Sequence, residues 1–547
     1  MFKLRAKDVT QAIKQVDQLL DTTNIPQTVI DDIVGLPTYT RTNQISLGSS
    51  VLDDLSLKSD GSTFKALDKT LTRGGTAMLS KILASPTQSP VDLEPMLAPE
   101  TVKELAALEP DVLWALSIDP EALKKPPLSA LYPNTAIVSY MNHSPHILAT
   151  YHIYRAYGAP LMSVMSPLSA VLAPYGFVRY KLGFQIGLVF YFSLLWRIFL
   201  ETMLNVGTGF QAVFKYCLVA FYIFAFLYHI VNTFEVASLV RRMRNEISQK
   251  VKSIGRFLEA TVSSAKLQVR TLSDMYRLLR SPAKRLELKR AAHKLYEADV
   301  RAMCKGLLGA GDWCVPVMHG ESSDGVTPVT RFWGLKHPGI GPKQRSNPAS
   351  LEQNLIVTGP NAAGKSTYVK SILMNILFAH TLGIVHTHKA DVCRYDAIHS
   401  YMRIWDSPGE ESLFEAEVSR CKTIIEIASQ VSAMGRGVFF LDEPMHSTPP
   451  QEGAATAKAL IQHLGEMPGV RIVVCTHFHS IPQLEDDLPA LFRNVSMSAV
   501  RKPMGGFRFP FKLKRGPSFQ CIALDLIEDK LLPPELIANA KRFVGAF

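Results

Sequence analysis

At 547 residues the chain is too long for one ordinary hydrophobic core, so two or three domains are expected. A net charge of +11 suits an anionic partner, nucleic acid or an acidic lipid surface, while a 47% hydrophobic share is high for a purely soluble protein. Seven dispersed cysteines without a CxxC pair argue against a disulfide framework or zinc site and for a reducing compartment.

The first segment, MFKLRAKDVTQAIKQVDQLL, reads as an amphipathic polar helix rather than a signal peptide. Helix is expected over 1–35 from the spacing of Val9, Ile13, Val16 and Leu20. Pro26 and Pro37 break the pattern beyond Leu20, and 38–62 reads as loop or short irregular pieces. Helical patterning resumes from Ser62 to Leu83, SPTQSP (85–90) marks a turn, and another polar helical stretch covers about 99–118. PPLSALYP (126–133) reads as a linker.

The hydrophobic excess lies next. Residues 156–178 carry no charge but hold Pro160, Pro167 and Pro174; 183–200 is apolar except for Arg197; and 216–234, YCLVAFYIFAFLYHIVNTF, has no formal charge. At about 1.5 Å per residue this last run extends roughly 28 Å, close to the ~30 Å hydrocarbon core. Arg241, Arg242 and Arg244 then supply a basic flank of the kind found on a cytoplasmic side. The alternative is a buried core helix. Two spans, about 183–204 and 216–234, with 156–178 at the interface, form the expected membrane hairpin. Residues 240–310 return to a basic helical pattern, with Leu258, Val262, Leu267, Leu272, Met275, Leu278 and Leu279 as buried-face candidates. Its charges form a solvated face or contact nucleic acid or lipid.

The chemistry is concentrated further on. NLIVTGPNAAGKST (354–367) is a buried-strand pattern running into GxxxxGK[ST] and then a helical run. Gly359, Pro360, Asn361, Gly364, Lys365, Ser366 and Thr367 are therefore candidate nucleotide-binding residues: glycines let backbone N–H groups wrap phosphates, Lys365 supplies charge, and the Ser366 hydroxyl suits Mg²⁺. GVFFLDE (437–443) is an apolar strand ending in two acids. Asp442 suits a water-mediated Mg²⁺ ligand and Glu443 a general base; the bland reading is a strand ending in solvated carboxylates. VRIVVCTH (470–477) delivers His477 to a strand end, within reach of a γ-phosphate, although a lone histidine is more often structural.

Taken together, TGPNAAGKST, LDEPMHSTPPQEG (441–453) and THFHSI (476–481) resemble the ATPase of the MutS mismatch-repair family. In the middle motif Asp442, Glu443, Thr448 and Gly453 are in register, whereas Ser447 replaces a family glycine and Glu452 an aspartate. GEESLFEAEV (409–418) is similar to the family's G-x-STF-x-x-E segment, with Ser412, Phe414 and Glu417 aligned. That resemblance implies that Ser412 reaches the nucleotide of a second subunit, so that two ATPase domains pair as a homodimer or heterodimer. Residues 513–543 resemble the family's C-terminal ending, which closes the ATPase dimer. Lys336-His337-Pro338 and Asn347 resemble elements that approach the adenine, making His337 and Asn347 cofactor-binding candidates. Residues 63–94 are similar to the start of the MutS lever domain.

The departures bear on function. The lever-like segment begins early, and the insert occupies the place of the usual clamp, which puts the family's mismatch sensing in doubt. The expected fold is α+β and multidomain. A lever-like helical region (1–135) is followed by a hydrophobic insert (150–236), a basic helical region (237–315) and a C-terminal α/β P-loop ATPase (320–547). The expected function is ATP and Mg²⁺ binding and ATP hydrolysis, coupled to DNA in a mismatch-repair-related process and tethered to membrane lipid through 183–234, with the ATPase facing the cytosol or nucleoplasm. Two alternatives stay open: a membrane-tethering or remodelling ATPase without a DNA substrate, and a non-cycling nucleotide-binding structural module.

Overall fold

The computed structural model describes residues 21–36, 44–88, 90–94, 96–120, 245–262, 267–320, 328–402, 413–503, 506–520 and 534–544, with the single positions 14, 18, 20, 242 and 522. The expectations for the linker at 126–133 and for the hydrophobic segments 156–178, 183–204 and 216–234 lie outside the described residues. Among the described residues no helix is long and apolar enough to cross a membrane. The chain forms two compact units, Met1–Val29 with Ala107–Ala292, and Ile30–Ala106 with His293–Phe547.

The first unit is helical where described. Its helix Glu109–Ser117 buries Val112, Leu113 and Trp114, and the helical residues 245–261 bury Ile247, Val251, Ile254, Phe257 and Leu258. Lys250 is nearly enclosed, and its ammonium is matched by Asp111 at 3.0 Å and by the Trp114 ring at 4.9 Å. Arg285 donates to the Leu116 and Ile118 carbonyls, which the helix Glu109–Ser117 leaves without internal donors at its end. The apolar stripe read from sequence is real: Leu258, Leu267, Met275, Leu278 and Leu279 are buried and Val262 is half-buried.

The second unit is mixed α/β. Its strands, in chain order, are β1 Ser46–Leu47, β2 Val317–His319, β3 Arg331–Leu335, β4 Asn347–Ser350, β5 Asn354–Thr358, β6 Lys389–Cys393, β7 Ala397–Tyr401, β8 Gly437–Asp442, β9 Val470–Cys475, β10 Phe492–Met497, β11 Val500–Arg501, β12 Phe507–Arg508 and β13 Leu513–Arg515. Seven of them form one sheet in the order β1-β7-β8-β9-β5-β10-β13. Every pairing in it is parallel except β10 with the edge strand β13. A second sheet runs β2-β6-β3-β4, and β11-β12 is a separate hairpin.

The helices that matter for the site are α1 Arg73–Leu83, α2 Lys365–Thr381, α3 Leu413–Met434 and α4 Pro450–Glu466. LIVT, VFFL and RIVVC are near-continuous apolar runs because both faces of the parallel sheet are covered. Ile356, Phe439, Leu441, Ile472 and Val474 share a core with Ile424 and Ala428 of α3 and with Leu460, Ile461 and Leu464 of α4. The alternate positions Val438, Phe440 and Val473 lie on the opposite face, and α2 packs on β5, β8 and β9. Burial along nearly the whole of α2 explains why its sequence is apolar on all sides.

Three expectations from sequence need correction. The helix expected over 1–35 is interrupted at 21–26, where the Asp21 carboxylate accepts from the Thr23 amide and hydroxyl; helix resumes at Gln27, after Pro26. The stretch read as loop at 38–62 contains β1, parallel to β7, and the short helix Val51–Asp54. These form because Ile45, Val51, Leu55 and Leu57 are buried, and because the enclosed Asp54 accepts from Ser400 at 2.6 Å. The helix expected from Ser62 to Leu83 is two helices, Ser62–Leu67 and α1. Between them Asp299, 1% exposed, accepts from the Leu71 and Thr72 amides and the Thr72 hydroxyl, and Thr72 caps α1. Partners more than two hundred positions away leave no trace in local periodicity.

Candidate functional site: a cleft at the strand ends

The carboxyl ends of β5, β9 and β8 are level. Val357 pairs with Cys475, and Cys475 with Asp442. The loops that leave these three strands therefore rise together, at the edge of a parallel sheet where ligands are bound in α/β folds.

The loop after β5 is shaped by residues that take positive φ. Gly359 has φ +136°, and a β-carbon there would lie 2.0 Å from the Met497 carbonyl oxygen, so a side chain is excluded. Gly364, φ +97°, turns the chain into α2, and Ala362 between them also has positive φ. The amides of this turn and the first turn of a 17-residue helix thus converge on one point, an arrangement that favours phosphate. Lys365 is 5% exposed, and its ammonium donates to the Pro360 carbonyl at 3.3 Å, lying along the loop. Asn361, Ser366 and Thr367 are exposed.

Asp442 ends β8, and its Oδ1 is buried without a hydrogen-bond partner. Beside it, Glu443 has φ +52° and Met445 φ +61°. Two non-glycine residues in the left-handed region cost on the order of 1–3 kcal/mol each, so their surroundings must hold them there. The Glu443 amide donates to the Cys475 carbonyl at 2.8 Å, locking the loop to β9. Glu443 Oε1 lies 3.6 Å from His477 Nδ1, and the hydrogen bond from His477, ahead of the nearby positive charges, holds the Glu443 carboxyl below its ordinary range. It is therefore ionised at neutral pH. A cavity of about 350 Å³ lies among Gly359, Asn361, Glu443, His477 and Ser518. Ser518 is drawn over it by a hydrogen bond from its amide to the Thr358 hydroxyl at 2.8 Å.

On the other flank of the P-loop is a cavity of about 700 Å³ bounded by His337, Gly364, Thr367, Phe509 and Phe511. The rings of Phe509 and Phe511 are stacked with centroids 6.2 Å apart, and Phe511 is 46% exposed. Burial pushes the His337 imidazole down to about 4, so it is neutral, and its Nδ1 accepts from the Gly339 amide at 3.1 Å. Asn347 borders the same space, but both polar ends of its side chain are committed. It donates to the Phe511 carbonyl and accepts from the Leu513 amide, each at 2.9 Å. Asn347 therefore holds the Phe511 segment in place.

The sequence-derived candidates Gly359, Pro360, Asn361, Lys365, Asp442, Glu443 and His477 thus meet at one end of one sheet, with Ser366 and Thr367 on the adjoining turn of α2 and His337 at the second cavity. Ser412 falls in 403–412, outside the described residues. Two contributors were missed: Phe509 and Phe511, whose alternating FRFPF in a basic stretch is the available signal, and Glu417, recognised as a motif match but given no task.

Comparison with known proteins agrees with this geometry. The family model of MutS domain V matches residues 355–547. Over 318 residues the chain is 26% identical to a DNA mismatch repair protein MutS of Listeria innocua, covering 56% of this chain and 35% of that protein. With the MutS of a Geobacillus species the identity is 30% over 192 residues, 35% of this chain and 22% of the relative. With that of Natronomonas pharaonis it is 25% over 265 residues, 47% and 29% respectively. The chain thus spans about a third or less of the length of these curated relatives.

Proposed function

We propose that this chain is a MutS-family ATPase that binds ATP in the strand-end cleft and hydrolyses it. The observation that carries the reading is the level placement of the P-loop, Asp442–Glu443 and His477 at the ends of β5, β8 and β9, over residues that match MutS domain V. The phosphates lie on the amides of 359–366, with Lys365 swinging from the Pro360 carbonyl to the β/γ-phosphates. The nucleoside extends into the larger cavity, against Phe511 and the neutral His337.

Hard oxygen donors fit Mg²⁺ here: the exposed Ser366 hydroxyl at the start of α2, and Asp442, whose buried Oδ1 is otherwise unmatched. Bound with the phosphates, Mg²⁺ supplies positive charge against the charge that develops on transfer. Glu443, kept ionised by His477, orients water for in-line attack and accepts its proton, and His477 faces the γ-phosphate. Lys365 stabilises the equatorial oxygens.

Coupling to DNA in a mismatch-repair context, pairing of two ATPase domains with Ser412 reaching across, and tethering to membrane lipid through 183–234 complete the proposal. Support for the first two is the match to MutS proteins; for the third it is the uncharged run of 216–234. The test is hydrolysis by the detergent-solubilised full chain with homoduplex, mismatched and branched DNA at fixed salt. Hydrolysis that DNA stimulates, and that Glu443→Gln abolishes, is expected. A rate indifferent to every DNA shifts the output to a membrane partner, and no hydrolysis at all overturns the reading.

A further inference from the structure

Glu417 lies in the second turn of α3, five residues after Ser412, with its side chain 0% exposed. A carboxylate so enclosed has to be met by donors. They come from a single stretch beyond β8. His446 Nδ1 is 2.9 Å from Oε1, the Ser447 amide donates to Oε2 at 3.3 Å, and the Ser447 hydroxyl donates to the same oxygen. Ser447 stands where the resembled motif has glycine, so the hydroxyl contact belongs to this chain in particular. One helical turn further along α3, the Cys421 sulfur lies 3.9 Å from the Met445 sulfur, and Met445 is buried in the sheet's core. The strained loop that begins at Glu443 is therefore tied to β9 at its start and to α3 along the rest.

We propose that Glu417 is a positioning residue: it grips His446 and Ser447, aims Glu443 at the reacting water through them, and carries movement of α3 to Glu443. α3 is the helix that begins directly after Ser412, so a nucleotide engaged by Ser412 in a second subunit would be reported to the hydrolytic carboxylate of the first. The inference rests on the ATPase reading above.

The test is steady-state ATP hydrolysis and equilibrium binding of a fluorescent ATP analogue, on the full chain, for the parent, Glu417→Ala, Glu417→Gln and Ser447→Gly. Glu417→Ala is expected to lower kcat about tenfold or more, with KM and Kd within about twofold of the parent. Glu417→Gln, which keeps an acceptor for Ser447 but loses the charge facing His446, recovers part of that loss, and Ser447→Gly falls less than Glu417→Ala. If Glu417→Ala does not fold, the other two variants decide. Parental kcat in both Glu417→Gln and Ser447→Gly overturns the proposal, as does a proportional change in kcat, KM and Kd, which would mark a general structural role. A parent that neither binds nor hydrolyses ATP overturns the ATPase reading itself, whereas an active parent with indifferent variants removes only the role of Glu417.

Discussion

The two sides of the cleft are built differently. On the phosphate side Gly359, Glu443 and His477 come within two residues of the ends of three adjacent parallel strands, so their mutual placement is set by the register Val357–Cys475–Asp442. On the nucleoside side His337 comes just after β3, while Phe511 sits in a connection between β12 and β13 and is held by Asn347 at the start of β4. The first side inherits the rigidity of a buried sheet; the second depends on a few hydrogen bonds between segments far apart in the chain. Substitution on the phosphate side should therefore remove chemistry, and substitution on the nucleoside side should weaken binding or stability and leave chemistry running.

The largest expected effect is at Glu443. Glu443→Gln should lower kcat by about 10²–10⁴ while ATP still binds, the usual range for loss of a general base. Single-turnover hydrolysis beside equilibrium binding reads both; a variant that hydrolyses as fast as the parent erases the contrast. Next is Phe511→Ala. Loss of an aromatic contact worth about 0.5–1.5 kcal/mol should raise KM for ATP up to about tenfold, with kcat within about threefold. If kcat falls and KM holds, Phe511 belongs with the chemistry instead. Asn347→Ala removes two backbone-directed hydrogen bonds and should cost about 1–3 kcal/mol of stability, seen as a lower denaturation midpoint, with a smaller rise in KM than Phe511→Ala.

The same difference decides how legible each side was in the sequence. The P-loop, Asp442, Glu443 and His477 could be read because phosphate chemistry demands particular residue types at strand ends, and strand ends show as the close of an apolar run. The nucleoside side demands only a ring and a shaped space. Nothing local marks Phe511, and Asn347, assigned from resemblance to contact the nucleotide, turns its amide to the backbone of 511–513. The fold divides likewise. β5, β8 and β9 are plain in LIVT, VFFL and RIVVC, whereas β1 and the break before α1 depend on Ala397 and Asp299, hundreds of residues away.

The smallest effect is in pH. Burial pushes His337, His380, His386 and His399 down to about 4 from an ordinary 6.5. Between those values the unfolded chain binds protons that the folded chain does not, so stability rises with pH through the window and falls on acidification, by up to about 1.4 kcal/mol per pH unit for each such group. Glu443 contributes in a lower window: its folded value is depressed, so its contribution is present above about 4.5, the ordinary glutamate value, and is lost only as pH drops below it. Chemical denaturation from pH 7 to pH 5 should show the histidine slope, and His380→Gln should flatten it by about one group's share. An unchanged slope would mean His380 is not held neutral.

The most direct test of the account is equilibrium binding of a fluorescent ATP analogue with Mg²⁺ to the full chain, comparing the parent with Lys365→Ala. Saturable binding by the parent, weakened at least about tenfold in the variant, is the expected result, since removing a buried charge from the phosphate cradle costs more than about 1.4 kcal/mol. Absence of binding by the parent, or binding that does not depend on Lys365, would contradict the claim that this cleft holds ATP by its phosphates.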